Sequence, residues 1–110
     1  MQKLSITKDM TQDQIKFQVI RVVSALEIGK IGTCMEALDW TWGWGQDVPT
    51  NQELFEAAVE RGMEAVNHTI DNGKQSKMSS GGFTAQAQMF EDSEIGLSIW
   101  FEITESDNYL

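Results

Sequence analysis

The stretch Phe83-Thr84-Ala85-Gln86-Ala87-Gln88-Met89, followed after an acidic turn by Ile95-Gly96-Leu97-Ser98-Ile99-Trp100-Phe101-Glu102-Ile103, decides the fold. Apolar residues recur at every second position on both sides of Glu91-Asp92-Ser93-Glu94, so Phe83, Ala85, Ala87 and Met89 share one face and Ile95, Leu97, Ile99, Phe101 and Ile103 share another. A period of two on two neighbouring segments predicts a half-buried antiparallel hairpin. An isolated ribbon is marginal in water. Leu4 and Ile6 offer a third strand from the amino terminus, and helices must cover the apolar face.

Upstream the period changes. Thr50 and Glu53, directly after the single proline, have the capping-box spacing that satisfies free backbone donors at a helix start. From there Phe55, Ala58, Val59, Gly62, Met63, Val66 and Ile70 gather on one side of a 3.6-residue turn, with Glu53, Glu56, Glu60, Glu64 and Asp71 opposite. Asp71-Asn72-Gly73 supplies the stop, which predicts a helix over residues 51–71. Thr11 and Gln14 form another capping box, and Ile15, Val19, Val22, Val23 and Leu26 make an apolar stripe from which Phe17 and Ile20 depart. The β-branched run over residues 15–23 also leaves a strand reading open. Gly29 and Gly32 are expected to end or bend the first helix. Thr33 and Glu36 then start a short linking helix that runs into Trp40, and residues 41–48 read as a loop. Residues 74–82 are polar and read as a connector into the hairpin. The expectation is a single α+β domain over residues 1–110. In it two main helices and a short linking helix pack on a small antiparallel sheet, and an acidic tail at 105–110 hangs loose.

Charge and composition exclude several functions. Seventeen acidic against eight basic residues give a formal net charge of -9, which repels nucleic acid and anionic lipid. No membrane-spanning run and no secretion signal stand in the sequence. One cysteine, Cys34, rules out an intramolecular disulfide and fits a reducing, cytoplasmic setting. Cys34 reads as a packed small residue and His68, the sole histidine, as a surface helix residue. No hydrolase, zinc-protease or dithiol motif occurs, so catalysis would rest on carboxylates such as Asp39. The chain is expected to be no enzyme and to hold neither metal nor cofactor.

Four groups remain as recognition candidates. Trp40, Trp42 and Trp44 lie within five residues, and indoles recur in binding hot spots, although the same rings equally serve as core plugs. Glu53, Glu56, Glu60 and Glu64 place carboxylates about 5–6 Å apart along one helix face. That is either an imitation of a phosphate backbone or a plainly solvated face. Lys74, Lys77, Ser79 and Ser80, beside Gly81-Gly82, form the one basic, donor-rich stretch, where an anion could sit with a base stacked on Trp44. Gly29-Lys30-Ile31-Gly32 has the form of an RNA-clamping loop, though an interhelix bend explains the same residues.

Leu38-Asp39-Trp40-Thr41-Trp42, the Val48-Pro49 helix start and Ser80-Gly81-Gly82-Phe83 together resemble small bacteriophage and prophage proteins. Those proteins are similar in having a helix ending in Leu-Asn/Asp-Trp-x-Trp, a second helix after a proline, and a Gly-Gly-Phe strand leading into the last strand. The likeness covers roughly residues 28–105, and the long amino-terminal helix departs from it. It implies a phage origin and action by occupying a host component, and it brings no catalytic residues to transfer. The leading expectation is therefore a non-enzymatic inhibitor of host defence, or an adaptor, binding a host protein through Glu53, Glu56, Glu60 and Glu64 or through Trp42 and Trp44. The alternatives are an oligomeric nucleotide binder using Trp44, Lys74, Lys77, Ser79 and Ser80, and a structural accessory. Trp100, opposite Ile99 and Phe101, adds the expectation of a homodimer or higher oligomer.

Overall fold

The computed structural model describes residues 1–7, 9–37, 49–80, 82–92 and 94–101. Along the chain run β1 (Gln2–Leu4), α1 (Gln12–Ser24), α2 (Ile28–Ala37), α3 (Asn51–Asn72), β2 (Gln75–Ser80), β3 (Phe83–Met89) and β4 (Ile95–Phe101). The strands form one sheet in the order β1-β4-β3-β2, antiparallel throughout. The chain is thus α+β, and the hairpin pairs in the register that the alternation requires, from Phe83 opposite Phe101 to Met89 opposite Ile95. Phe83, Ala85, Ala87, Ile95, Leu97 and Ile99 are buried beneath the helices, and the rings of Phe83 and Phe101 meet edge to face at 5.4 Å. Of the expected third strand through Leu4 and Ile6, β1 takes in Leu4, which lies opposite Ile95, and ends before Ile6.

Two capping boxes do what their spacing promises. Thr11 Oγ1 accepts from the Gln14 amide at 3.2 Å while Gln14 Oε1 accepts from the Thr11 amide at 2.8 Å, and Ile15, Val19, Val22 and Val23 bury the stripe of α1. A helix stands over residues 15–23, where a strand had stayed open. Thr50 and Glu53 make the same reciprocal pair at the start of α3. That helix ends on Gly73, whose φ of 72° is the left-handed closure a side chain would resist.

Four expectations need correction. The break between the first helices falls after Ser24, in a turn where Leu26 donates to Val23 at 2.9 Å, and so precedes Gly29 and Gly32. The turn lets Leu26 and Ile28 fold back onto the core. Gly29 and Gly32 accordingly lie inside α2, where an added Cβ on Gly32 would come within 2.5 Å of Asn51 Oδ1. Close helix contact explains Gly32, and neither a bend nor an RNA-clamping loop stands at the pair. Thr33 is likewise interior and starts no helix; its hydroxyl donates to the Gly29 carbonyl one turn back at 3.0 Å. With α2 in this phase Met35 is buried and Cys34, expected to pack, is exposed. Finally, residues 75–80 are no connector but the edge strand β2, in register with β3 from Gln75 opposite Gln88 to Ser80 opposite Phe83. Its lack of apolar anchors fits an edge position, where backbone pairing does the holding.

The inner face of α3 is turned about 40° from the expected one. Leu54, Ala65 and Thr69 join Ala58, Val59, Gly62 and Val66 as the buried residues of α3, while Phe55 and Met63 are half-buried and Ile70 is exposed. Small residues face the strands because the helix lies close against them. A Cβ on Gly62 would stand 2.7 Å from Val19 Cγ1 and 2.9 Å from Ile99 Cδ1. Thr69, fully buried, donates its hydroxyl to the Ala87 carbonyl at 3.2 Å. Gln12 and Asn67 exchange amide hydrogen bonds of 3.0 and 2.9 Å between α1 and α3, and Gln18 does the same with the Ser5 backbone.

The contrast between two helical glycines is measurable. Gly62→Ala is expected to lower stability by about 1–3 kcal/mol through overpacking, outweighing its gain in helix propensity. Gly29→Ala, whose Cβ meets only Asn51 Nδ2 at 3.9 Å, should raise stability by up to about 1 kcal/mol. Urea denaturation of the two variants checks both signs.

Candidate functional site

Because the small residues of α3 face the sheet, its larger apolar side chains are displaced sideways toward α1. There Ile20 from α1 and Phe55, Val59 and Met63 from α3 floor a groove of about 520 Å³. Lys16 stands on the α1 wall, and Gln52, Glu56 and Glu60 stand along α3. Phe17, 67% exposed and one helical turn from Ile20, stands on the outer side of α1 and is not among the residues that line the groove. A second depression of about 450 Å³ lies farther along the same seam, lined by Met10, Ile15, Asn67, Ile70 and Met89 among others. It lacks the double carboxylate rim of the first.

The four glutamates of the acidic face all lie outside the core, as expected of a face turned to water, but they differ in what they do. Glu53 is committed to its own helix. Its carboxylate accepts from the Thr50 backbone amide and hydroxyl, each at 3.0 Å, and these bonds, the backbone one foremost, hold its pKa below the ordinary 4.5. Glu60 and Glu64 flank Arg61, reaching its Nη2 at 2.9 and 3.0 Å. Arg61 itself is only 15% exposed, so the two carboxylates keep a largely covered cation compensated. Glu56 accepts from the Gln52 side chain at 3.0 Å and is otherwise turned to solvent at the groove. Of the expected stripe, then, Glu56 and Glu60 combine with apolar surface, Glu53 serves the cap, and Glu64 serves Arg61.

The other candidates are placed as follows. Trp40, Trp42, Trp44 and Asp39 lie outside the described residues. Lys77 and Ser79 point outward from β2, with the Lys77 ammonium 5.7 Å from the Trp100 ring centroid and the Ser79 hydroxyl bonded to that of Thr84 at 2.9 Å. Lys74 sits just before β2, its amide donating to Asn72 Oδ1, and Ser80 is the last residue of that strand. In a strand successive amides point in opposite directions, so residues 75–80 form no cradle of consecutive donors. His68 is exposed on α3. No group of three or more His, Cys, Asp or Glu among the described residues is placed to hold a metal ion. No helix among them is long and apolar enough to cross a membrane. No protein-family model matches the chain, and neither a curated protein nor a solved structure is found similar to it.

Sequence reasoning missed Ile20, Phe55 and Met63 as one surface. The signal was present in Ile20, an apolar residue off the core stripe of α1. Phe55 and Met63 were hidden among residues assigned to the inner face of α3.

A second charged cluster pins β1 to the tip of the hairpin. Lys3 Nζ lies 3.2 Å from Asp92 and 3.5 Å from Glu94 and sits 5.4 Å from the Phe90 ring centroid. The hydrogen bond to Asp92 raises the Lys3 pKa above 10.5. The Glu94 backbone amide, then Lys3, lower that of Asp92 below 3.8. The depressed carboxyls of Glu53 and Asp92 contribute stability that is present above 4.5 and 3.8 and is lost as pH falls through their lower folded-state values. The Lys3 contribution runs the other way, present below 10.5 and lost as pH rises past its raised value. Denaturation midpoints across pH should show a shallower acid limb for Glu53→Gln than for the parent. Thr50→Ala, which removes the cap itself, should cost about 1 kcal/mol at neutral pH.

Proposed function

We propose that this chain is a non-enzymatic binding protein that acts by occupancy, and that its groove between α1 and α3 takes a basic amphipathic helix of a partner protein. The observation that carries this reading is the meeting of an apolar floor with a carboxylate rim, Glu56 and Glu60 standing beside Phe55, Val59 and Met63. A helix laid in a groove buries anchors at i, i+3, i+4 and i+7 and keeps its polar flanks at the rim. From Gln52 to Met63 the floor runs about 17 Å at 1.5 Å per residue, the length of three helical turns. Such a partner presents aliphatic or aromatic anchors on one side and Lys or Arg toward Glu56 and Glu60. The net charge of -9 steers it from a distance. The resemblance to small phage proteins supports a host protein as the partner, with inhibition or adaptation as the result.

The test uses a synthetic leucine–lysine helix of about 12–15 residues with its lysines on one face, titrated calorimetrically against the intact chain. Binding is expected, and it should weaken as salt rises. Glu56→Gln combined with Glu60→Gln should raise Kd roughly 2- to 30-fold, the range for two partly exposed charge contacts. Equal binding of a peptide with the same lysines and no leucines, or indifference to these substitutions, would overturn the groove.

A further inference from the structure

We infer that the open face of the sheet is where two copies of this chain meet. The acidic residues carry the first part of the argument. Among the described residues, no carboxylate occupies an outward-facing position of β2, β3 or β4, and Lys77 is the one formal charge at those positions. Two copies with a net charge of -9 repel each other across their helical surfaces, whereas on the outward side of the sheet the carboxylates of Asp92 and Glu94 stand only at the hairpin tip, paired with Lys3. The central rung, Gln86 opposite Ser98, is polar and uncharged, and amides and hydroxyls of that kind pair with their own copies across a two-fold axis. Trp100, half-buried and backed by Lys77, provides the large aromatic that interface centres favour. Thr84 beside it is already 2% exposed, so this part of the face is firm before any partner arrives.

The area is sufficient. The three strands of six or seven residues, spaced about 4.8 Å apart, give roughly 300 Å² in plan for each copy. Side-chain relief brings the accessible surface lost by the pair to the order of 1,000 Å², the lower bound for a specific interface. A face-to-face pair of this kind leaves the α1–α3 grooves pointing outward on opposite sides, so the dimer stands independently of the groove's occupant.

Sedimentation equilibrium of the full chain over a micromolar to submillimolar range tests the proposal. The parent should run at twice the chain mass, and association should tighten as salt screens the acidic surfaces, the reverse of the salt response of a basic peptide in the groove. Gln86→Glu, made together with Lys77→Gln because Lys77 lies directly opposite it in β2, places like charges against each other and should raise the dimer dissociation constant at least 10-fold, with an unchanged circular dichroism spectrum. Trp100→Glu should do the same, and the paired substitution keeps the test decisive if that variant folds poorly. A parent that stays monomeric throughout, or a dimer that ignores the paired substitution and is lost on Phe17→Glu, would overturn the assignment.

Discussion

The close approach of α3 to the sheet at Gly62 governs the rest of this molecule. With no side chain there, Val19 of α1 and Leu97 and Ile99 of β4 converge on one point, and three elements far apart in sequence share a single contact. Apolar contact of this density outweighs the roughly 1 kcal/mol that glycine costs in a helix interior. It also fixes which side of α3 turns inward. Ala58, Ala65 and Thr69 fit the narrow gap, whereas Phe55, Met63 and Ile70 do not, so the bulk of the helix's apolar volume is left at its flanks. The groove follows from this spacing, since side chains too large for the interior become its floor.

Much of the architecture was legible because the deciding signals are local. The alternation over residues 83–101 has one side to bury, so register and partner follow together, and the capping boxes at Thr11 and Thr50 are bonded as their spacing requires. The same spacing misled at Thr33 and Glu36, because a threonine inside a helix bonds its own preceding turn just as readily. Glycine misled for a related reason. Gly29 and Gly32 break nothing, as Asn51 and Leu54 of α3 come close enough for Gly32 to be favoured where it stands. Strand β2 left almost no trace in the sequence, with Met78 its one apolar residue, since an edge strand is held by its neighbour's backbone. The groove was legible only in part. Glu56 and Glu60 could be read off the helical period, but their apolar neighbours belong to two helices whose relative rotation is set by packing.

Charge is divided by layer. Carboxylates line the outer side of the helices, where three of the four glutamates of α3 stabilise a cap or an arginine, and the outward side of β2–β4 is left to amides, hydroxyls, one lysine and one tryptophan. A molecule so divided attracts cations on one side and tolerates its own likeness on the other. The proposed peptide groove and the proposed self-association draw on opposite halves of that distribution.

The pairing of Gln2 with Leu97 sets a timetable. As a ribosome releases the chain, β1 emerges about 90 residues ahead of β4, its neighbour in the sheet. At about 5–20 residues per second the delay is on the order of 5–20 s, during which all three helices can wind but their covering layer is incomplete. Closing a loop of about 90 residues then makes the pairing of β1 with β4 a comparatively slow event. Until β4 emerges, β1 has no strand to pair with, and its backbone donors and acceptors stay open to other binders.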